Sequence, residues 1–164
     1  MTVQKQIHSI APVFDKNSRV LILGSFPSVK SREAGFFYGH PQNRFWKVLA
    51  RLFDEEIPQT TEQKRSLLIR DHIAVWDVIA SCEIKGSSDT SITNVIPNDI
   101  SMILNTADIK AIFCNGGKSY ELYCRHIEKN VGISAVKLPS TSPANAACSL
   151  EKLTQSWKAI KEYI

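Results

Sequence analysis

The run Arg19-Val20-Leu21-Ile22-Leu23-Gly24 constrains the fold more than any other stretch of the chain. Its aliphatic residues are continuous rather than alternating with polar ones, which is typical of a strand that is buried on both faces. Such strands occur in parallel sheets whose two faces are covered by helices. The sequence therefore predicts that this segment is an inner strand of an α/β sheet.

Three further segments have the composition of buried strands, and amphipathic segments separate them. The predicted strands are residues 72–79, 109–114 and 133–138. The predicted helices are residues 43–53, 63–71, 98–105, 118–129 and 150–160. Because strands that alternate with helices form βαβ units, the sequence predicts a three-layer α/β/α fold with a central, mainly parallel four-stranded sheet.

The length of 164 residues favours one domain, with residues 1–18 as an edge segment and residues 19–164 as the core. Residues 81–99 are rich in Ser, Thr, Asn and Gly, so we expect a long loop there. Thr60 and Gln63 stand in the register of a capping box, which predicts the start of the second helix.

Charge and cysteine spacing limit the classes of function. The net charge of +4 is compatible with a polyanionic partner but does not demonstrate one. The four cysteines lie far apart without a C-x-x-C pair, so the usual spacing of a zinc or iron–sulfur site is missing and we expect no metal. No apolar run approaches the ~18 residues that span a bilayer. We therefore expect no membrane association and a cytoplasmic location.

Polar and turn residues follow each predicted strand. These are residues 24–28 (Gly-Ser-Phe-Pro-Ser), Asp77, residues 115–117 (Asn-Gly-Gly) and residues 139–143 (Pro-Ser-Thr-Ser-Pro). In open α/β sheets, ligands bind outside the carboxyl ends of the strands. We therefore expect these segments to form one rim and to hold the functional site.

Three strings, two of them at this rim, resemble motifs of the uracil-DNA glycosylase superfamily: residues 24–28, residues 39–48 (Gly-His-Pro-Gln-Asn-Arg-Phe-Trp-Lys-Val) and residues 138–144 (Leu-Pro-Ser-Thr-Ser-Pro-Ala). The second string is similar to that of the mismatch-specific uracil/thymine branch. The full combination most resembles the hypoxanthine-DNA (deoxyinosine) glycosylase branch. The similarity extends from about Arg19 to the end of the chain.

The resemblance implies a monofunctional DNA glycosylase that flips a deaminated base out of DNA and excises it by hydrolysis in base excision repair. Hypoxanthine is expected first and uracil second. The implied enzyme acts as a monomer, needs no cofactor or metal, and has damaged DNA as its partner. A mismatch-type uracil/thymine glycosylase and a non-catalytic DNA-damage-binding protein remain alternatives.

One motif position departs from the superfamily pattern. Phe26 stands where the mismatch enzymes carry an asparagine and the classical uracil enzymes an aspartate, which positions or activates the attacking water. The resemblance to the hypoxanthine branch implies that Asn43 takes over this duty through its side-chain carbonyl, with help from Ser25. Spacing alone favours a helix N-cap for Asn43, and only the family string favours catalysis.

Four residues are expected to bind the base. Tyr38 falls where the mismatch branch places the aromatic side chain that stacks on the flipped base. Asp77 could accept the ring N–H of hypoxanthine or uracil and repel N1 of adenine, or it could be a surface or capping carboxylate. Asn115 could bond the base edge, and Phe26 adjoins the same motif.

The remaining candidates are expected to contact DNA. The resemblance implies that residues 139–145 enter the minor groove, with the small hydroxyls near phosphates and a small wedge at the tip. The backbone of Gly116 could bind a phosphate at a helix N-terminus or simply make a turn, and His40 has a supporting role. The expected DNA-binding residues are Ser140, Thr141, Ser142, Pro143, Ala144, His40 and Gly116.

Overall fold

Residues 2–164, which the computed structural model describes, form seven strands and seven α-helices. The strands are β1 (Gln4–Ile7), β2 (Val20–Gly24), β3 (Ile73–Asp77), β4 (Ile79–Ile84), β5 (Thr93–Pro97), β6 (Ala111–Asn115) and β7 (Ala135–Leu138). The helices are α1 (Val29–Ala34), α2 (Phe45–Leu52), α3 (Thr61–Arg70), α4 (Ser101–Thr106), α5 (Gly117–His126), α6 (Glu128–Val131) and α7 (Leu150–Trp157). Two 3₁₀ segments, Asp89–Ser91 and Lys158–Tyr163, complete the described elements.

The main sheet has four parallel strands in the order β3-β2-β6-β7. This confirms the predicted α/β class and its parallel four-stranded sheet. Every residue of β2 is buried, as its continuous aliphatic run predicts. In the sheet, β3 lies on one side of β2 and β6 lies on the other side. A crevice is therefore expected outside the carboxyl ends of β2 and β6, where the strand order reverses.

A second sheet, β1-β4-β5, is antiparallel. The prediction of a long loop over residues 81–99 is wrong, because β4 and β5 cover much of that range. In the second half of β4, Cys82 and Ile84 are buried whereas Ser81 and Glu83 are partly exposed, so the polar residues face outward. Asn98 secures the junction of the two sheets, since its Nδ2 donates to the carbonyls of Asp77 at 2.9 Å and Ile79 at 3.1 Å.

The predicted helices are present with small shifts, and α1 is an additional helix that the sequence did not predict. α2 buries six of its eight residues and packs against α7. The predicted capping box is present at α3: Thr60 Oγ1 accepts from the Gln63 N–H at 3.1 Å, and Gln63 Oε1 accepts from the Thr60 N–H at 3.3 Å. The predicted helix 118–129 is divided into α5 and α6. Within residues 2–164 no helix has the length and apolar character needed to cross a membrane.

Two carboxyl groups face each other where α2 and α3 end. Glu55 Oε2 and Asp71 Oδ2 are both buried and accept no hydrogen bond from the described residues. Burial, followed by the neighbouring Glu55, raises the pKa of Asp71 to about 7. No N–H or O–H of another residue bonds to these two oxygens. A proton held by Asp71 and shared with Glu55 therefore forms the hydrogen bond between them.

We predict that the folded state loses stability as the pH rises from about 4 to about 7. In that interval Asp71 holds its proton in the folded chain but loses it in the unfolded chain, so the unfolded state binds fewer protons. Asp71→Asn supplies an amide donor at every pH. Its melting temperature should exceed the wild-type value at pH 8, and this advantage should shrink toward pH 4. Glu56→Gln, at an exposed neighbour, is the matched control. An advantage of equal size at both pH values would contradict the shared proton.

Candidate active site

A cavity of about 530 Å³ opens at the carboxyl ends of the parallel strands, at the predicted rim. Its walls come from residues 24–28, 31, 37, 38, 40, 43, 77, 87–90, 115 and 140–144. The predicted site residues that line it are Ser25, Phe26, Tyr38, His40, Asn43, Asp77, Asn115, Ser140, Thr141, Ser142, Pro143 and Ala144. Gly116 lies just behind this wall, where an added Cβ would be 3.1 Å from the Cβ of Ser140. The fold therefore gathers the candidates into one place.

Thr141 connects three of these segments. Its side chain is fully buried, and its hydroxyl donates to Asn43 Oδ1 at 2.8 Å while accepting from Asn115 Nδ2 at 3.0 Å. The Thr141 N–H also donates to Asn115 Oδ1 at 3.0 Å. The structure thus corrects the expected phosphate contact of Thr141, because this hydroxyl is enclosed and already bonded. The Asn115 amide also bonds to this loop through Oδ1 and one N–H of Nδ2, which leaves its second N–H on the cavity side for a base.

Asn43 presents its amide nitrogen to the cavity. Its Oδ1 accepts from the Phe45 N–H at 3.0 Å as well as from Thr141, so two donors occupy the two lone pairs of that oxygen. The bond to Phe45 also satisfies a backbone donor at the start of α2, although Arg44 and not Asn43 is the N-cap residue of this helix. The group that remains for a ligand or a water is therefore Nδ2, not the carbonyl that the sequence favours.

Arg44 holds the loop that follows β7. Its guanidinium donates to the carbonyls of Asn145 at 3.0 Å and Ser142 at 3.4 Å, and also to that of Cys148. Its backbone N–H donates to the Thr141 carbonyl at 3.0 Å. The planar fork of donors on arginine suits several acceptors at once. Sequence reasoning did not assign Arg44 this role, although its place next to Asn43 in the motif was a usable signal.

Tyr38 has a left-handed backbone, with φ of 52°. Its ring stacks on Phe45 with centroids 4.0 Å apart and an interplanar angle of 18°, and its carbonyl accepts from Trp46 Nε1 at 3.2 Å. Only the opposite ring face is available to a base. The hydroxyl is buried without a hydrogen-bond partner among the described residues. Burial, reinforced by the negative charge of Asp77, raises the pKa of this hydroxyl, which therefore stays protonated.

Asp77 pairs with His8, a residue that sequence reasoning did not select. His8 Nε2 lies 2.8 Å from Asp77 Oδ2, and the two side chains are only 2% and 5% exposed. β1 pairs with β4, and the His8 N–H donates to the Ala80 carbonyl at 2.7 Å, which fixes the position of the imidazole. A lone histidine in a polar edge segment gave no signal of this contact.

A second carboxylate stands at the mouth of the cavity. Ser25 Oγ donates to Asp89 Oδ1 at 3.2 Å. Partial removal from water raises the pKa of Asp89, with a smaller contribution from Asp77, while Ser25 and Lys118 act in the opposite direction. Sequence reasoning missed Asp89 because it lies within the range that was expected to be a loop.

His40 lies at the rim of the cavity. Its Nδ1 accepts from the Gln42 N–H at 3.1 Å, so a neutral ring carries its proton on Nε2. Such an N–H can donate to a phosphate oxygen. In the part of the chain that the structure describes, no group of three His, Cys, Asp or Glu side chains is arranged to hold a metal ion.

Comparisons with known proteins agree on one family. The family model of the uracil DNA glycosylase superfamily matches residues 11–162. A hypoxanthine DNA glycosylase of Methanosarcina barkeri is 34% identical over 148 residues, which cover 89% of this chain and 92% of the relative. A hypoxanthine DNA glycosylase of Methanosarcina acetivorans is 30% identical over 149 residues, covering 90% and 93%. The solution NMR structure of a candidate uracil DNA glycosylase from Methanosarcina acetivorans superposes with a TM-score of 0.79 at 28% identity, covering 96% of this chain and 99% of that one.

We predict that Thr141→Val destabilises the loop after β7. Valine has nearly the same shape but leaves the Asn115 amide without its acceptor, which costs about 1–3 kcal/mol. Urea unfolding should show this loss, and hydrogen exchange should rise in residues 139–148. Thr141→Ser keeps the hydroxyl and is the matched control. Equal exchange in the two variants would show that the hydroxyl does not hold the loop.

Proposed function

We propose that the chain, which belongs to the uracil DNA glycosylase superfamily, is a monofunctional DNA glycosylase that excises deaminated bases in base excision repair, with hypoxanthine as its first substrate. Two relatives that match about nine-tenths of the chain are named hypoxanthine DNA glycosylases, which supports this choice of base. Its partner is then DNA that contains a deaminated base.

The observation that carries the proposal is the convergence of the motif residues on one cavity. Ser25 comes from the end of β2, Asn43 from the start of α2, Asp77 from the end of β3, and residues 140–144 from the loop after β7. The volume of about 530 Å³ lies within the range of roughly 300–1,000 Å³ that is common for small-molecule sites. An extruded nucleotide can therefore enter the cavity with its base near Asp77 and its glycosidic bond near Ser25 and Asn43.

Hydrolysis of the glycosidic bond needs an oriented water and an acceptor for its proton. The water oxygen bonds to C1′ as the bond between C1′ and the base nitrogen breaks, and the electron pair leaves with the base. In the proposed mechanism Asn43 Nδ2 donates to the water oxygen, and Ser25 Oγ accepts one of its hydrogens. Because the Ser25 hydroxyl itself points to Asp89, the proton passes through Ser25 to that carboxylate.

The DNA strand is held around the mouth of the cavity in this proposal. The exposed tip of the loop after β7 is made of small residues, which allow a close approach of the backbone. His40 offers its outward N–H, and the backbone N–H of Gly117 lies in the first turn of α5, where a phosphate can bind. The Gly116 N–H, expected from the sequence to contact a phosphate, instead donates to the Leu138 carbonyl at 2.9 Å. Thr141 and Arg44 contribute by fixing the loop rather than by touching DNA.

We predict that the wild-type protein releases hypoxanthine from duplex DNA and that Asn43→Asp slows this release about 100-fold, the usual cost of one lost donor at a reacting centre. The aspartate still accepts from Phe45 and Thr141, so the melting temperature should change little. Single-turnover assays on duplexes with hypoxanthine, uracil, xanthine or G-paired thymine measure the rates and the base preference.

Thr141→Val separates chemistry from loop anchoring in the same assay. Asn43→Ala should lose much more activity than Thr141→Val, since only the former removes the water contact. Full activity in Asn43→Asp would overturn the role of Nδ2. Tight binding by the wild type without release of any base would favour the non-catalytic alternative.

We predict that Asp89→Asn slows excision and flattens its pH profile. In the wild type the rate should fall on acidification as Asp89 gains a proton, and this fall should begin above the ordinary range of aspartate because its pKa is raised. The asparagine variant cannot accept the proton, so its rate should be lower and should not fall further on acidification in this pH range. Asp108→Asn, which precedes β6 at the opposite end of the sheet, is the control. An unchanged profile in Asp89→Asn would remove Asp89 from the mechanism.

A further inference from the structure

The Asp77 carboxylate has one oxygen in a dry protein interior and the other toward the cavity. Its Oδ2 is bonded to His8, and the imidazole is surrounded by the rings of Phe26, Phe37 and Trp76, with centroids at 5.9, 6.2 and 6.3 Å. These rings exclude water from the pair. The bond between His8 and Asp77 is therefore not exchanged for solvent contacts.

The tautomer of His8 follows from its second hydrogen bond. The Ile10 N–H donates to His8 Nδ1 at 3.3 Å, so Nδ1 carries no hydrogen. The ring proton is then on Nε2, which donates to Asp77 Oδ2 at 2.8 Å. Asp77 thus serves as the acceptor of this bond, and His8 fixes the rotation of the carboxylate about its side chain.

The other oxygen, Asp77 Oδ1, is open to the cavity. Within residues 2–164 no donor bonds to it, and the neighbouring Tyr38 hydroxyl, although unpartnered, makes no hydrogen bond with it. Gly24 lies opposite Asp77 in the sheet, and a Cβ on Gly24 would overlap Oδ1. The missing side chain of Gly24 is therefore what lets the carboxylate lie across the end of β2.

We propose that His8 is a positioning residue that holds Asp77 Oδ1 as a fixed anionic acceptor, and that the pair selects flipped bases whose ring nitrogen bears a hydrogen. The inference rests on the proposed glycosylase function and extends it to a residue outside every motif. Deamination of adenine or cytosine replaces a ring nitrogen acceptor with a ring N–H beside a new carbonyl. An anionic oxygen binds that N–H and repels the lone pair of the unmodified base. The His8–Asp77 pair therefore recognises the new ring N–H, which deamination of adenine and deamination of cytosine both produce.

Binding to duplexes that resist cleavage tests this proposal without relying on catalysis. The probes contain 2′-fluoro-2′-deoxyinosine or 2′-fluoro-2′-deoxyadenosine at one site, because the fluorine disfavours the cationic sugar of the transition state. The wild type should bind the inosine duplex at least about tenfold more tightly, as expected for a hydrogen bond to a charged group. His8→Phe keeps a ring of similar size but has no donor, and it should lose most of this ratio.

Two further variants separate positioning from folding. His8→Gln retains an N–H donor and should restore the ratio to within about threefold of wild type, since the carboxylate again has a partner. Asp77→Asn should accept from His8 and turn its amide hydrogens toward the cavity, which reverses the preference toward adenosine. Melting temperatures measured in parallel show which variants are folded.

The outcomes distinguish this inference from the proposed function. The inference about His8 would be overturned if the wild type bound the two duplexes equally. It would also be overturned if folded His8→Phe and Asp77→Asn both kept the wild-type binding ratio, even if hypoxanthine is excised. Selective binding that disappears in His8→Phe and returns in His8→Gln would support it even if no base is released. In the latter result only the glycosylase proposal fails.

Discussion

The hydroxyl of Thr141 is the contact on which the rest of the site depends. It bonds to Asn43, 98 residues earlier in the chain, and to Asn115, 26 residues earlier. A buried hydroxyl with both partners present is favourable, whereas each partner left alone would be costly. The start of α2, the end of β6 and the loop after β7 therefore form their final geometry together. Arg44 donates further hydrogen bonds to the same loop, which hold this part of the cavity wall in place.

Phe26 covers the His8 ring, although it stands at the motif position where the resembled enzymes carry a water-binding side chain. It is 9% exposed, meets the His8 ring edge-on at 5.9 Å, and has the Arg32 guanidinium over its face at 5.4 Å. A small polar side chain there would admit water beside the pair formed by His8 and Asp77. The site is thus divided into a dry corner that suits hydrogen-bond recognition and a polar wall, with Ser25 and Asn43, that suits hydrolysis.

The parallel sheet could be predicted because its signal is local. A continuous aliphatic run such as Val20–Gly24 has few alternatives to a buried strand, and the polar residues that follow the strands must meet at one edge. The antiparallel sheet could not, because half-exposed strands such as β5 have the polar composition of a loop. His8 and Asp89 were hidden for the same reason, since His8 bonds to Asp77, and Asp89 lines the cavity, from that sheet or its connections. The direction of the Asn43 and Asn115 amides depends on bonds to Thr141 that no spacing rule contains.

In the proposed role of His8, base recognition depends on β1, the edge strand that directly precedes this residue. Three of the four β1 residues are exposed, and the strand is at the edge of its sheet, with β4 as its neighbour. Edge segments with little buried surface open locally far more often than a domain unfolds. Each opening would withdraw the imidazole from Asp77 while leaving every motif residue in place. Changes near the N-terminus that alter the fraying of β1 could therefore tune the fidelity of the site independently of its catalytic power.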